Sequence, residues 1–563
     1  MINFVFLVHK NVFITYDQFF FIMKYFFQSG LHLLQTSPIY LLQIFSLSLL
    51  LSLLLILFVV KLENNVLLKK KILYFFLIFI LLFAAGFDQV KFTQKKDFLR
   101  HSAVLSIFSN PSYDFGGLIN QDFKTTEFIH KPIKRPWVGD ATPQTPVIVL
   151  MVESLRWDLL TEEPTPLPFL KRLAEESIRF EKAYVSSSHS NYADLSVWYS
   201  QYPLKSQTGA PYPANSPWKN TSIFKVFKDM GYRTAYISSQ NEKWGGMIHW
   251  LKVPEIDFFY HSEDFDGDTW FNKDDKNGIS KLINKNIATA GKIEDSQLIQ
   301  VIRRWIDHHD DKPFFLGANL QNTHFNYVIP PGGAEPFQPA YIDFPTVYFS
   351  WPREKADVVR NRYRNAVYNV DNIIRGFVDY LRNKGIWDHC YFIVVGDSGE
   401  AFYEHGFGNH SGPVYDEVAR TFLIIHTPKE GKIIKKILCP VSHIDIFPTL
   451  LDLMNIEKPC SFQGISVFRE DQKRENVFMY VNAIYTQLAV LNWPYKYMLT
   501  IHPQKNVELY DLDQDPQEKN NIIEKNQVIA DILNKKLKEF VSAQIRYYGY
   551  PLYSQKYCPP CLQ

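Results

Sequence analysis

The 563-residue chain predicts an α/β domain, a doubly wound sheet with helices on both faces, preceded by an apolar N-terminal region. Three observations carry this. Short apolar runs such as "VIVLMV" (147–152) and "YFIVV" (391–395) lack a polar alternation, as strands covered on both faces of a sheet do. Stretches with helical spacing, such as "SQLIQVIRRWIDHH" (296–309), lie between such runs. The runs also end abruptly in charge or glycine, as in "VESLRWD" and "VGDSGE", and that edge of an open α/β sheet is where ligands are held.

In chain order, residues 1–100 read as a membrane anchor. The run 39–60 has no charge and is long enough for a bilayer, which takes about 20 residues. A second run, 72–90, is shorter in its purely apolar part but can span. A helix buried in a soluble core would keep a polar side, and a cleaved leader would be shorter and start earlier. The stretch "NVFITYDQFFFIMKYFF", interrupted by Asp17 and Lys24, reads as interfacial or as a third span. Between the two runs, "KLENNVLLKKK" sets four lysines against one glutamate, which places that loop in the cytoplasm. Lys91, Lys95, Lys96 and Arg100 follow the second run and work against that orientation. The expectation is a multi-pass protein of the cell (inner) membrane whose domain after residue 100 is extracytoplasmic.

Residues 101–143, rich in polar and Pro/Gly-containing stretches, read as a linker. The domain then spans 144–545. "TPLPFLKRLAEESIRF" is helix-like, with Phe169, Leu170, Leu173 and Ile178 on one side; "RTAYISS" and "KPFFLGANLQ" are strands; "KADVVRNRYRNAVYNVDNIIRGFVDYLRNKG" is a long helix. From about 475, "YKYMLT" and "VELYDL" suggest a small β-rich subdomain, closed by the helix "NQVIADILNKKLKEFVSAQ". Residues 546–563 form a tail with "CPPC". Lys+Arg number 60 against Asp+Glu 58, so net charge gives no reason to expect nucleic acid as partner. Five cysteines leave pairing open: "CPPC" as an oxidised pair or metal clip, or Cys439 with Cys460. Cys390, just inside an apolar strand, reads as a buried free thiol.

Four clusters carry candidate chemistry: Glu153; the hydroxyl-rich "SSSHSNYADLSVWYSQYPL" (186–204); His324 in "NLQNTHFNY"; and "GDSGEAFYEHGFGNH", with Asp397, Glu400, His405 and His410. Each has a plainer role available, as a strand end, helix cap or turn. Two acidic strand tips with histidines nearby in one α/β domain suit a divalent metal instead, and a hydroxyl beside that metal makes a nucleophile. The acidic "SEDFDGDTW" loosely suggests a calcium loop, but its glycine is misplaced and a solvated turn is the better reading.

The order of motifs resembles the sulfatase-like branch of the alkaline phosphatase superfamily across nearly the whole outer part. "ESLRWD", "TPLPFLKRLAEESIRFEKAY", "SQYP", "NTHFNYVIPP", "GDSGEAFYEHG", "VSHIDIFPTLLDLMNI", "FQGISV" and "ELYDLDQDPQEKNN" carry the likeness. Among membrane-anchored members it resembles the lipoteichoic acid synthase, phosphoglycerol transferase and phosphoethanolamine transferase types. The resemblance implies an alkaline-phosphatase-like fold and a site with Glu153, Ser190, Asp397 and His405 as metal ligands. It further implies Ser190 as nucleophile, thirteen residues before Pro203, and His324 and His410 on the substrate's phosphate or the leaving group. Ser188 is the alternative nucleophile, and His405 is either a ligand or one layer behind. Sulfatases place the cysteine of Cys-x-Pro-Ser-Arg at Ser190; "SNYAD" stands here, so formylglycine chemistry is not expected. The position after the strand-tip acid, usually His or Asn, is Ser398. The cofactor implied is a divalent ion, Mn, Mg or Zn. The activity implied is a phospho- or sulfo-ester hydrolase or transferase, moving a membrane phospholipid headgroup to an envelope glycan or lipid through a covalent serine intermediate. The rival is a degenerate relative that binds lipid or a partner without turnover.

Overall fold

The computed structural model describes residues 144–560 except 206–217, 219–220, 268, 270–290, 309–311, 345–350, 411, 470–472, 484, 503 and 550–556. The expected anchor with its spans at 39–60 and 72–90, the linker 101–143 and part of the tail lie outside the described residues. Among those described, no helix is long and apolar enough to cross a membrane.

The first half runs β1 (Val147–Val152), α1 (Pro168–Glu175), β2 (Ile178–Phe180), β3 (Ala183–Tyr184), α2 (Ser190–Tyr199), α3 (Ile223–Asp229), β4 (Arg233–Ser238), β5 (Phe258–Tyr260), α4 (Asp295–Asp307) and β6 (Phe314–Leu320). Then come α5 (Ala356–Asn383), β7 (Tyr391–Gly396), β8 (Arg420–Thr421), β9 (Leu423–His426), β10 (Lys435–Ile437), β11 (Val441–Ser442) and α6 (Ile446–Leu453). The chain closes with β12 (Val477–Asn482), β13 (Thr486–Asn492), β14 (Tyr495–His502), β15 (Asn506–Asp511) and α7 (Gln527–Gly549).

The main sheet has eight strands in the order β10-β2-β9-β7-β1-β6-β4-β5, and β9 alone runs antiparallel. Strand β1 explains why its run has no polar alternation. Ile148, Leu150 and Val152 pack into one core with α1, α4 and α5, while Val147, Val149 and Met151 pack into another with α2, α3 and α6. Gly317 in β6 matters for the second core. A Cβ there would stand 2.8 Å from the Trp198 ring of α2 and 3.0 Å from Phe224 of α3, so the glycine lets α2 settle on the sheet.

Ile178 departs from the helical reading of its segment. Helix α1 stops at Glu175, and Ile178 with Phe180 enters the core from a strand, Arg179 lying between them. A separate antiparallel sheet, β12-β13-β14-β15, has α7 on one face and residues such as Tyr184, Val185 and Ala419 on the other. It is joined to the rest through a buried charge cluster: Lys496 Nζ meets Asp416 at 2.9 Å and Glu518 at 2.8 Å, and Glu518 accepts from Asp416 N. The cysteines pair differently from either alternative, Cys460 with Cys558, leaving Cys390 buried and Cys439 exposed as thiols. In "SEDFDGDTW", Glu263 pairs with Lys243 and Asp264 accepts from His261 N, which makes a turn.

Candidate active site

Strands β1, β6 and β7 run parallel and in register, so the residues just past Val152, Leu320 and Gly396 arrive at one edge. That brings Glu153, Gln321 and Asp397 together. Ser154 takes φ 57°, an uncommon conformation for a residue with a side chain. It turns the chain so that Ser154 N donates to Asp397 Oδ1 at 2.8 Å and Ser154 Oγ lies 3.0 Å from His410 Nδ1. The Tyr363 hydroxyl on α5 donates to Ser154 O and holds the turn. The other charges of "ESLRWD" are structural. Arg156 grips Asp158 through two nitrogens, at 2.6 and 2.9 Å, and reaches Glu404 and the carbonyl of Glu400. It thereby pins the loop that carries Glu400 and His410.

From the opposite side, α2 begins at Ser190, and its Oγ donates to Glu153 Oε1 at 3.2 Å. The helix N-terminus favours negative charge at that position. Ser188, the alternative, donates to the carbonyl of Gly412 at 2.7 Å. His410 Nε2 also lies 3.2 Å from Glu153 Oε1, and its Nδ1 is 3.3 Å from Glu400. His324 stands edge-on to His410, ring centres 5.4 Å apart. Gln321 Nε2 donates to Glu153 Oε2 at 2.7 Å and to Asn319 Oδ1 at 2.9 Å.

His405 is a correction. Its Nδ1 faces Glu417 at 2.7 Å, its Nε2 faces Glu518 O at 3.0 Å, and its ring stacks on Tyr415. Both nitrogens are engaged at the C-terminal sheet, so His405 is not among the groups that converge on Glu153. His410 takes that place. Ser398 turns its N–H and hydroxyl back onto Asp397 Oδ1, at 2.6 and 3.3 Å.

Burial and crowding decide the charge states. Burial raises the Asp397 carboxyl, and the Glu153 charge raises it further. Asp194, one turn beyond Ser190, is pushed well up by burial and then by Asp397 and Glu153. Burial pulls His410 down, but Glu400 and Glu153 outweigh it and hold the imidazole at about 9. Burial depresses His324, and Lys292 and His410 depress it further. Lys292 is lowered to about 8 by burial, against the attraction of Glu153.

These residues fit a divalent cation. Glu153, His324 and His410 each offer an atom within 4.8 Å of the others'. Asp397 Oδ2, buried beside Glu153, has no hydrogen-bond partner among the described residues. Crowded carboxylates of this kind call for positive charge between them.

The sulfatase family model matches residues 145–456, more than half of the chain. The chain belongs to the sulfatase family. The model for the C-terminal part of N-sulphoglucosamine sulphohydrolase matches 404–545 of this sulfatase-family chain. Similar proteins include an uncharacterized sulfatase, YidJ, of Escherichia coli, 26% identical over 404 residues, 62% of this chain and 77% of that one. An arylsulfatase of Clostridium perfringens is 23% identical over 444 residues, 67% of this chain and 90% of that one. A solved protein of the alkaline phosphatase superfamily from Vibrio parahaemolyticus shares the fold, with TM-score 0.55 and 17% identity over 78% of this chain and 95% of that one. The two sequence relatives just described carry the name sulfatase, and the family match does not single out the lipid-headgroup transferase branch.

Sequence reasoning did not single out Gln321, Lys292 or Asp194. Gln321 has a signal in hindsight, a polar residue immediately past a seven-residue buried strand. Asp194 stands where the family motif carries arginine. Lys292 gave none, since only the fold brings it to β6.

Proposed function

We propose that the protein is a hydrolase or transferase of phosphate or sulfate esters that works through a covalent intermediate on Ser190. The observation that carries this reading is Ser190 Oγ at 3.2 Å from Glu153 Oε1, on a helix N-terminus, with His324 and His410 converging on the same point. Glu153 and Asp397 would hold a divalent cation, which when bound supplies Lewis acidity to the hydroxyl and to the ester oxygen. The chain's own residues do the rest. Ser190 Oγ attacks phosphorus or sulfur in line, its proton passing along the hydrogen bond towards Glu153. The ester bond to the leaving alcohol breaks, and the alcohol takes a proton from the His410 imidazolium. An acceptor oxygen then attacks the same centre, its proton passing to His410, and Ser190 leaves with its proton restored from Glu153. Water as acceptor makes the protein a hydrolase, a sugar or lipid hydroxyl makes it a transferase. A serine ester has no second hydroxyl on its β-carbon, so its release requires attack at phosphorus or sulfur, as in phosphoryl transfer.

The apolar runs 39–60 and 72–90 support a finer reading: an extracytoplasmic enzyme held in the membrane, with a phospholipid as donor and an envelope glycan or lipid as acceptor. Asp194 in place of the motif's arginine favours a second reading, binding without turnover. The full chain, metal-loaded in detergent, should be mixed with phospholipid, p-nitrophenyl phosphate and p-nitrophenyl sulfate in turn, acid-quenched and digested. One phosphoryl or sulfuryl group on the peptide containing Ser190 is expected. Neither adduct nor turnover with any of the three would leave the binding reading standing.

A further inference from the structure

We propose that Lys292, with His324, forms the oxyanion-binding part of this site, receiving the charged oxygens of a phosphate or sulfate ester; it deepens the reading of Ser190 as nucleophile and rests on it for the identity of the ligand. The family motif would supply a guanidinium four residues after the nucleophile, and this chain has Asp194 there, a buried carboxylate with Oδ1 unpartnered among the described residues. An incoming anion at Ser190 therefore finds no cationic side chain on α2 and needs one from another element.

Lys292 is delivered by a fixed segment. Asp295, the first residue of α4, accepts from Ser239 Oγ at 2.6 Å and from the N–H groups of Gln321 and Asn322, both at 2.9 Å. Ile293 N donates to Ser239 O at 2.7 Å. Residues 292–295 are thus bolted across the ends of β4 and β6. Lys292 Nζ then donates to Gln321 Oε1 at 2.5 Å, and the other end of that amide donates to Glu153 Oε2. No carboxylate pairs with Lys292 among the described residues, unlike the other cation in the site, His410, which is paired with Glu153 and Glu400. An ammonium has three donors, and among the described residues one is used. A half-buried cation with two donors to spare among the described residues, linked through Gln321 to the Glu153 carboxylate that Ser190 bonds, fits the chemistry of an ester anion.

The test compares wild type, Lys292→Gln and Lys292→Arg, as full chains in detergent, with binding of inorganic phosphate and of sulfate measured by calorimetry. Metal content and melting temperature are read for each. Glutamine can still bond Gln321 but carries no charge. Phosphate binding should weaken about 10- to 100-fold in Lys292→Gln, as expected for a lost charge-assisted hydrogen bond, and recover to within about fivefold in Lys292→Arg, with metal content unchanged. A merely structural lysine would instead disturb Glu153 and with it the metal. Anion binding by Lys292→Gln equal to wild type, or a wild type that binds neither anion, overturns the proposal. Lysine-dependent phosphate binding without any adduct on Ser190 would leave this subsite in place and remove the catalytic reading.

Discussion

Replacing Ser190 by alanine is expected to separate catalysis from folding in this protein. The hydroxyl donates to Glu153 Oε1 at 3.2 Å, and that oxygen keeps His410 Nε2 at the same distance when the hydroxyl is gone. No buried charge is stranded, so the stability cost is that of one ordinary hydrogen bond, about 1 kcal/mol. Melting temperature should fall by no more than about 4 °C for a domain of this size. Turnover loses its covalent route and should drop by at least ~10³-fold, equivalent to ~4 kcal/mol of barrier. The assay is release of p-nitrophenol from the phosphate and sulfate esters, with thermal melting on the same samples. Ser188→Ala is the control: it removes a 2.7 Å bond to the Gly412 carbonyl, so it should cost comparable stability and leave turnover near wild type. Near-normal activity in Ser190→Ala, or loss in Ser188→Ala alone, would refute the reasoning.

Asp397→Asn keeps acceptors for the N–H groups of Ser154 and Ser398 while removing one charge, and bound divalent metal should fall at least ~10-fold by elemental analysis; full occupancy would remove Asp397 from the ligand set. His405 faces an acceptor at each ring nitrogen, and although burial lowers its pKa, Glu417 outweighs this and raises it. Its contribution is therefore present below the unfolded value near 6.5 and lost as pH rises through the higher folded value. The deficit of His405→Gln, about 1–2 kcal/mol by denaturant unfolding at pH 6, should shrink as pH rises, and a deficit that grows would reverse the assignment. The Cys460–Cys558 bridge spans 98 residues, so Cys460→Ser should destabilise by about 2–5 kcal/mol under oxidising conditions and by nothing once wild type is reduced.

Much of the architecture was legible because buried parallel strands advertise themselves. The runs at Val147 and Tyr391 are apolar throughout, those at Arg233 and Phe314 contain apolar stretches, and all four lie inside the main sheet. Two- and three-residue strands such as β2, β3, β8 and β11 carry no such signal, since pairing with neighbours distant in sequence defines them, and Ile178 was read as helix for that reason. At the site, acidic strand tips and the hydroxyl-rich start of α2 were visible as residue types out of place. Spacing and residue type did not set His405 apart from His410, and only the family resemblance assigned them separate roles. Only the direction of the turn between them, through Gly406 and a left-handed Asn409, sends one imidazole to the C-terminal sheet and the other to Glu153. Lys292 was illegible because Asp295 fixes it through contacts that only the folded chain provides.

The glycine at position 317 sets the thickness of the layer between β6 and α2. Ser190 opens the helix whose Trp198 lies against that glycine, so the spacing of the sheet layer becomes the reach of the proposed nucleophile. An alanine there would lift the indole without touching any residue that performs chemistry. Misplacing a reacting group by about 1 Å can cost ~100-fold in rate. A related chain could therefore hold every acid, imidazole and hydroxyl of this site and still be silent, and sorting active from inactive members demands a look at the residue beneath the helix as well as those above the strands.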